Sequence, residues 1–168
     1  MVSAEVLIRR MRPADLPAVF ELQCQAYPAA YHESVAALAS RQQAGGSFCF
    51  VAERAGELLA YLFAHPWQGH PPALHQPLQA KPDADHLFLH DLAVAPHGRG
   101  LGLGARLHAA SWAAAQSAGL GEVRLVALAP AQPFWRRLAY QPQPAVPLDA
   151  GYGCAQAMCR TGGELRTQ

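Results

Sequence analysis

The run His86-Leu87-Phe88-Leu89-His90-Asp91-Leu92-Ala93-Val94 reads as a strand, residues 105–117 read as an alanine-rich helix, and Arg99-Gly100-Leu101-Gly102-Leu103-Gly104 joins them. No other stretch constrains the fold as tightly. Glycines at alternate positions let the backbone take turns closed to side chains and approach a partner closely. The first amides of the helix that follows have no internal acceptor and carry partial positive charge, so the junction is suited to an anion. The expectation is a mixed α/β domain with a phosphate-bearing ligand at this junction. The plainer reading, a tight turn, would need fewer glycines and no arginine.

Spacing separates the candidate phosphate loops. The dinucleotide fingerprint G-x-G-x-x-G is met only in its first part by Gly98, Gly100 and Gly102, and Glu122 precedes the next strand instead of ending it. The nucleotide loop needs a Gly-Lys pair, which the chain lacks. The pattern that fits is R-x-x-G-x-G, at Arg99, Gly102 and Gly104, behind Leu92-x-Val94-x-Pro96. This resembles the acyl-CoA signature of the GNAT superfamily of N-acetyltransferases. Residues 7–17 (LIRRMRPADLP) resemble that family's first strand and the start of its first helix, and Phe134-Trp135-Arg136-Arg137-Leu138-Ala139-Tyr140 resembles its F-Y-x-x-x-G-F segment.

Composition agrees with one globular domain. The chain has 168 residues, 51% hydrophobic and 15% charged, which suffices for a real core. A net charge of +1 argues against a nucleic-acid partner. Neither a signal-like start nor an 18-residue apolar run is present, so a cytoplasmic protein without membrane contact is expected. Cys24, Cys49, Cys154 and Cys159 form no CxxC pair and read as small core residues. His65, His70 and His75 recur every five residues, which suits no metal face; no metal is expected, and they read as exposed loop histidines.

Along the chain, residues 6–9 read as a strand and Asp15 as the cap of a helix through about residue 25, with Leu16, Val19, Phe20 and Gln23 on one face. Ser34 can cap a second helix over 35–43, ended by Gly45-Gly46. Residues 47–53 and 58–65 form a hairpin about Ala55-Gly56. Residues 66–84, carrying five prolines, read as a loop that is either a lid over a substrate pocket or a passive insertion. The helix after the glycine loop shows Leu103, Leu107, Ala110 and Ala114 on one face. Then come a strand over 123–128, a short helix over 133–138, a last strand over 152–159 able to pair across a homodimer, and a tail, 161–168, expected to fray.

The resemblance implies an α/β fold: a central, mostly antiparallel, V-splayed sheet of six or seven strands with about four helices, residues 1–160 forming one acyl-CoA N-acetyltransferase domain. It implies acetyl-CoA as co-substrate. The pyrophosphate would meet Arg99, Gly100, Leu101, Gly102, Leu103, Gly104 and Ala105, and the pantetheine arm would pair with Leu92, Ala93 and Val94, an amide of that strand stabilising the oxyanion. A Cβ at Gly102 or Gly104 would hold the phosphates away.

The acceptor would be the amine of a small molecule. An alkyl ammonium is neutral in about one molecule per few thousand at pH 7, so deprotonation costs about 4–5 kcal/mol and calls for a base. In a regular strand His90 shares a face with Leu92 and Phe88, while Asp91 shares the other with Leu89. His90 matches a histidine of arylalkylamine-type members, whereas the glutamate of histone-type members would fall at Phe88. Asp91 competes as base if a family-typical bulge turns it inward. The family's tyrosine acid falls at Trp135, whose indole N–H cannot supply a proton at neutral pH; Tyr140 or Tyr152 could substitute. Tyr27, Tyr31 and Glu33 stand where relatives build an acceptor site, Glu33 as an attractor for ammonium and Trp67 as an aromatic wall. Two other readings stay open: a non-catalytic acyl-CoA-binding module, and an acetyltransferase for protein N-termini or lysines.

Overall fold

A computed structural model describes residues 4–76, 78 and 83–162. Seven strands form one sheet in the order β1-β2-β3-β4-β5-β7-β6. They are β1 (Leu7–Arg10), β2 (Phe50–Arg54), β3 (Glu57–Trp67), β4 (His86–Val94), β5 (Glu122–Ala127), β6 (Gln141–Pro142) and β7 (Gln156–Thr161). Every pairing is antiparallel except β4 with β5. The helices are α1 (Leu16–Ala26), α2 (Val35–Gly45), α3 (Leu103–Ser117) and α4 (Gln132–Arg137).

Alternation along the strands sorts the core into two layers. On one face Leu103 and Leu107 of α3 and Trp135 of α4 bury Leu62, Leu87, Leu89, Leu125 and Met158. On the other, Leu16, Val19 and Leu22 of α1 and Leu38 of α2 bury Val51, Tyr61, Phe63 and Ala93. No helix among the described residues is long and apolar enough to cross a membrane.

Two features of β4 position the site. First, it pairs with β5 only over Leu87↔Val123, Phe88↔Arg124 and Leu89↔Leu125. Beyond Leu89 the strands diverge, and the V opens. Second, the register with β3 slips: Phe63 pairs with Asp91 but Ala64 with Leu89, so His90 is an extra residue in a β-bulge. Leu87 and Leu89 face the α3 layer before it, Leu92 packs on that same layer after it, and Ala93 faces α1. The alternation expected for a regular strand is thus broken, and His90 and Asp91 both turn to the α1–α2 side.

Other expectations shift. Pro66 lies within β3, paired with Leu87. It is tolerated because β3 makes its last pair with β2 at Leu62 and runs on with that edge free. His65 is therefore not a loop residue but a fully buried one; His70 and His75 are exposed. Pro77 and Pro82 of the loop lie outside the described residues, as do residues 163–168 of the expected tail; Thr161 belongs to β7, paired with Glu122. Tyr152 sits in a 3-10 turn before β7, and β6 was not foreseen. β7 pairs with β5 along its whole length and with β6 only at Met158 and Cys159. Cys24 and Cys154 are exposed, against the core reading; all four thiols are free. Asp15 precedes α1 without capping it, because its carboxylate accepts instead from Arg9 (2.8 Å) and the Arg12 amide (2.7 Å). Ser34 does cap α2, accepting from the Ala37 amide at 3.1 Å. The buried stripe of α3 runs through Leu103, Leu107, His108, Ser111 and Ala115 rather than Ala110 and Ala114.

Candidate active site

Three concavities share residues and form one path. The first, about 260 Å³, is lined by Leu92, Val94, Arg99, Gly100, Gly102, Leu103, Gly104 and Phe134. The second, about 140 Å³, fills the V between Leu89, His90, Asp91 and Leu92 of β4 and the segment 125–128, with Phe134 and Trp135 behind it. The third, about 80 Å³, is lined by Tyr27, Tyr31, Glu33, Leu74, His90, Asp91 and Tyr152 among others. Leu92 and Phe134 join the first to the second; Tyr27, His90 and Asp91 join the second to the third. A larger concavity of about 470 Å³ beside α1 is lined by Arg9, Asp15, Glu57 and His97 and shares no residue with this path.

At the loop, each glycine has its own reason. Gly100 and Gly102 sit at φ +79° and +67°, with open space where a Cβ would stand. Their need is conformational. Gly104 has ordinary helical backbone, but a Cβ there would come 3.1 Å from the Phe134 ring and 3.5 Å from Leu92, at the floor of the first concavity. A Cβ at Gly102 would thus stand in open space beside the first concavity, and one at Gly104 would press on its Phe134 wall. Gly102 caps α3, leaving the amides that follow free of helical acceptors. Arg99 is exposed on the rim. Ala93 faces the α1 layer, and Leu101 and Ala105 are exposed off the lining. Phe134, not singled out beforehand, is the shared wall.

In the innermost chamber, Glu33 is nearly fully buried and its carboxylate meets Arg41 Nε at 2.8 Å, Arg41 Nη2 at 3.3 Å and His90 Nε2 at 3.0 Å. Gln23 of α1 bonds both the amide and the carbonyl of Glu33, at 3.1 and 3.0 Å. Burial alone would raise the Glu33 carboxyl, but His90 and Arg41 outweigh it and hold it at about 2. An ionised carboxylate only accepts, so His90 Nε2 carries a hydrogen, and in the neutral ring Nδ1 is the atom left with the lone pair. That Nδ1 is buried and has no hydrogen-bond partner within the protein.

Asp91 accepts from the Tyr61 hydroxyl at 2.6 Å, and burial, the dominant influence, raises its carboxyl above the usual range. The Tyr27 hydroxyl donates to the Leu92 carbonyl at 2.8 Å. His65 lies beside His90, ring centroids 6.3 Å apart; burial, then His90, lowers it to about 3, so it stays neutral. Trp67 stands away from the chamber, its indole N–H donating to the His70 carbonyl at 2.7 Å and its ring edge-on to His65. The loop is fastened over the chamber: Tyr152 donates to the Pro72 carbonyl at 2.6 Å, and Ser40 accepts from the Leu78 amide at 3.0 Å. Tyr140 is committed elsewhere, to His108 at 2.8 Å. Trp135 is packed edge-on between Phe134 and Tyr140.

Arg41, Gln23, Tyr61 and His65 were not expected at the site. Only a polar residue on an otherwise helical apolar face hinted at Gln23; the other three carried no sequence signal. Among the described residues, no group of three or more His, Cys, Asp or Glu is placed to hold a metal ion.

Comparison with known proteins bears on this geometry. The profile of the acetyltransferase (GNAT) family matches residues 16–140. Ard1 from Thermoplasma volcanium superposes with a TM-score of 0.74 at 15% identity, covering 95% of this chain and 99% of that one. The ribosomal-protein-S18-alanine N-acetyltransferase from Escherichia coli superposes at 0.69 with 20% identity, covering 98% and 100%. The GNAT-like decarboxylase GphF in complex with isobutyryl-CoA superposes at 0.74 with 22% identity, covering 92% and 98%. No curated protein sequence matches the chain.

Proposed function

The chain belongs to the acetyltransferase (GNAT) family, and on that premise we propose that it transfers the acetyl group of acetyl-CoA to the primary amine of a small molecule by direct attack in a ternary complex. One observation carries the reading: a single path runs from the glycine loop, through the V between β4 and β5, to a chamber walled by His90 and Asp91.

Along that path, Arg99 and the free amides of α3 hold the pyrophosphate. The pantetheine arm lies against residues 92–94, which on the β5 side have no strand partner. Asp91, with one oxygen taken by Tyr61, receives an N–H of the amine with the other. His90 Nδ1 takes a proton from the ammonium, directly or across one water; the freed nitrogen attacks the thioester carbonyl carbon, and the proton this adduct sheds goes to the departing thiolate. The oxyanion meets an amide of the splayed strand. Collapse breaks the C–S bond, and the CoA thiolate takes up that proton; Trp135 packs against this region without supplying it.

The chamber is small. Its volume of about 80 Å³, below the ~150 Å³ of a closed cavity that admits benzene, favours a slender amine end. Glu33, tied to Arg41 and His90, acts on the base rather than drawing in ammonium.

The test is CoA binding by calorimetry paired with free-thiol release over a panel of amines. Turnover of unbranched primary amines is expected. Binding without turnover of any amine would instead favour an acyl-CoA-binding module, and turnover confined to peptides would favour a protein acetyltransferase. Failure to bind CoA would overturn the reading altogether.

A further inference from the structure

Among the described residues Arg41 is the most deeply buried charge, with a fully covered side chain on α2. It lines none of the concavities of the path. A buried ion pair is often no more stabilising than apolar residues of the same volume. Leu38, on the preceding turn of the same helix, shows that an apolar side chain serves the core there. An arginine kept in this position therefore suggests a role outside packing.

We propose that Arg41 is the positioning residue of the acyl-transfer site, acting through Glu33 on His90. This deepens the reading above and rests on it for the role of His90. The guanidinium meets Glu33 side-on with two nitrogens, Nε at 2.8 Å and Nη2 at 3.3 Å. That geometry fixes the carboxylate plane as a lysine's point charge would not. Gln23 fixes the Glu33 backbone from α1. The remaining acceptor capacity of Glu33 is thus aimed at His90 Nε2, 3.0 Å away. The consequence is a single neutral tautomer, Nε2–H, with Nδ1 free to accept a proton. Arg41 also offsets the charge of Glu33, 2.8 Å away.

The other titratable groups facing this trio do not replace it. Tyr27, Tyr61 and Tyr152 are all held well above the usual range, by burial first, so none of the three ionises near neutrality. His65 stays neutral, and Asp91 is engaged by Tyr61.

The test uses two variants of the full chain with opposite expected signs. Glu33→Gln keeps the shape and removes the negative charge that favours imidazolium, so the acid limb of kcat/KM against pH moves down by about 1 unit. Arg41→Met removes the offsetting cation, so the same limb moves up by about 1 unit. Each lowers kcat by about 10–100-fold, the range for partners behind a first ligand or base, with KM for acetyl-CoA unchanged. Limbs that move together, or stay in place in folded variants, overturn the proposal. A second readout needs no turnover and no variant: nitrogen NMR of His90 in the wild-type protein shows the Nε2–H tautomer if the proposal holds, and the Nδ1–H tautomer overturns it. An Nε2–H tautomer in a protein that acetylates no amine would overturn the function above while leaving the positioning intact.

Discussion

The glycine loop and the acid–base chamber are two ends of one cleft built by opposite means. The loop works with backbone: two left-handed glycines, a third stripped of its Cβ beside Phe134, and amides that the helix itself cannot satisfy. Its parts are contiguous in the chain and lie at the surface. The chamber works with side chains from α1, α2, β3 and β4, and its central contact joins residues 57 positions apart. On the proposed function the first would hold a ligand of fixed chemistry, and the second would set the protonation of a reacting group. One consequence is that damage to the loop should appear in KM for acetyl-CoA, and damage to the chamber in kcat.

The largest expected effect lies at the chamber. His90→Ala lowers kcat at neutral pH by about 10²–10⁴-fold, the usual contribution of a general base, while calorimetric CoA affinity stays unchanged. A matching loss of CoA affinity would dissolve the distinction between the two ends.

At the loop, Gly104→Val places a branched side chain against Phe134 and Leu92 and over the helix amides. An anion at a helix start gains up to about 2 kcal/mol, so steady-state kinetics should show KM for acetyl-CoA rising by about 30-fold with kcat little altered. A fall in kcat at unchanged KM would break the comparison from the other side.

A smaller effect tests the burial that sets the chamber apart. His65 is held at about 3, below its unfolded value near 6.5, so the unfolded chain binds more protons between those values. The stability it contributes is complete above pH 6.5 and is lost as pH falls toward 3; at pH 5 the loss is about 2 kcal/mol. His108, lowered to about 4 by burial, adds in the same direction. Denaturant unfolding at pH 7 and pH 5 should show His65→Gln removing about 2 kcal/mol of the drop. An unchanged drop would mean that His65 is not buried as a neutral ring.

The same contrast explains what the sequence discloses. Strand, loop and α3 are readable because their signals are local: β4 occupies the run expected for it, and Arg99, Gly102 and Gly104 carry the family's spacing. The mostly antiparallel sheet follows from the resemblance, though not its strand order, and the Ser34 cap follows from its position before an apolar repeat. The bulge at His90 is not readable from strand period, because it is an extra residue of β4 set against consecutive residues Phe63 and Ala64 of β3; only the family resemblance raised it, as a way to turn Asp91 inward. An argument from strand period therefore places His90 and Asp91 on opposite faces, where the fold turns both to one. His65 is misread for a related reason: Pro66 signals a loop, and only the free edge of β3 beyond Leu62 permits a proline in a strand there. Arg41 reads as one more polar residue of a helix, since its partner Glu33 lies just before the helix and its purpose lies on β4.

The most direct measurement is the ratio of wild-type to His90→Ala rates as a function of pH, with an unbranched primary amine as acceptor. If His90 removes the amine proton, the ratio is about 10²–10⁴ at pH 7 and falls toward unity as pH approaches the amine's own range near 10.4, where free base no longer needs a partner. A ratio independent of pH would contradict the assignment of His90 as the base.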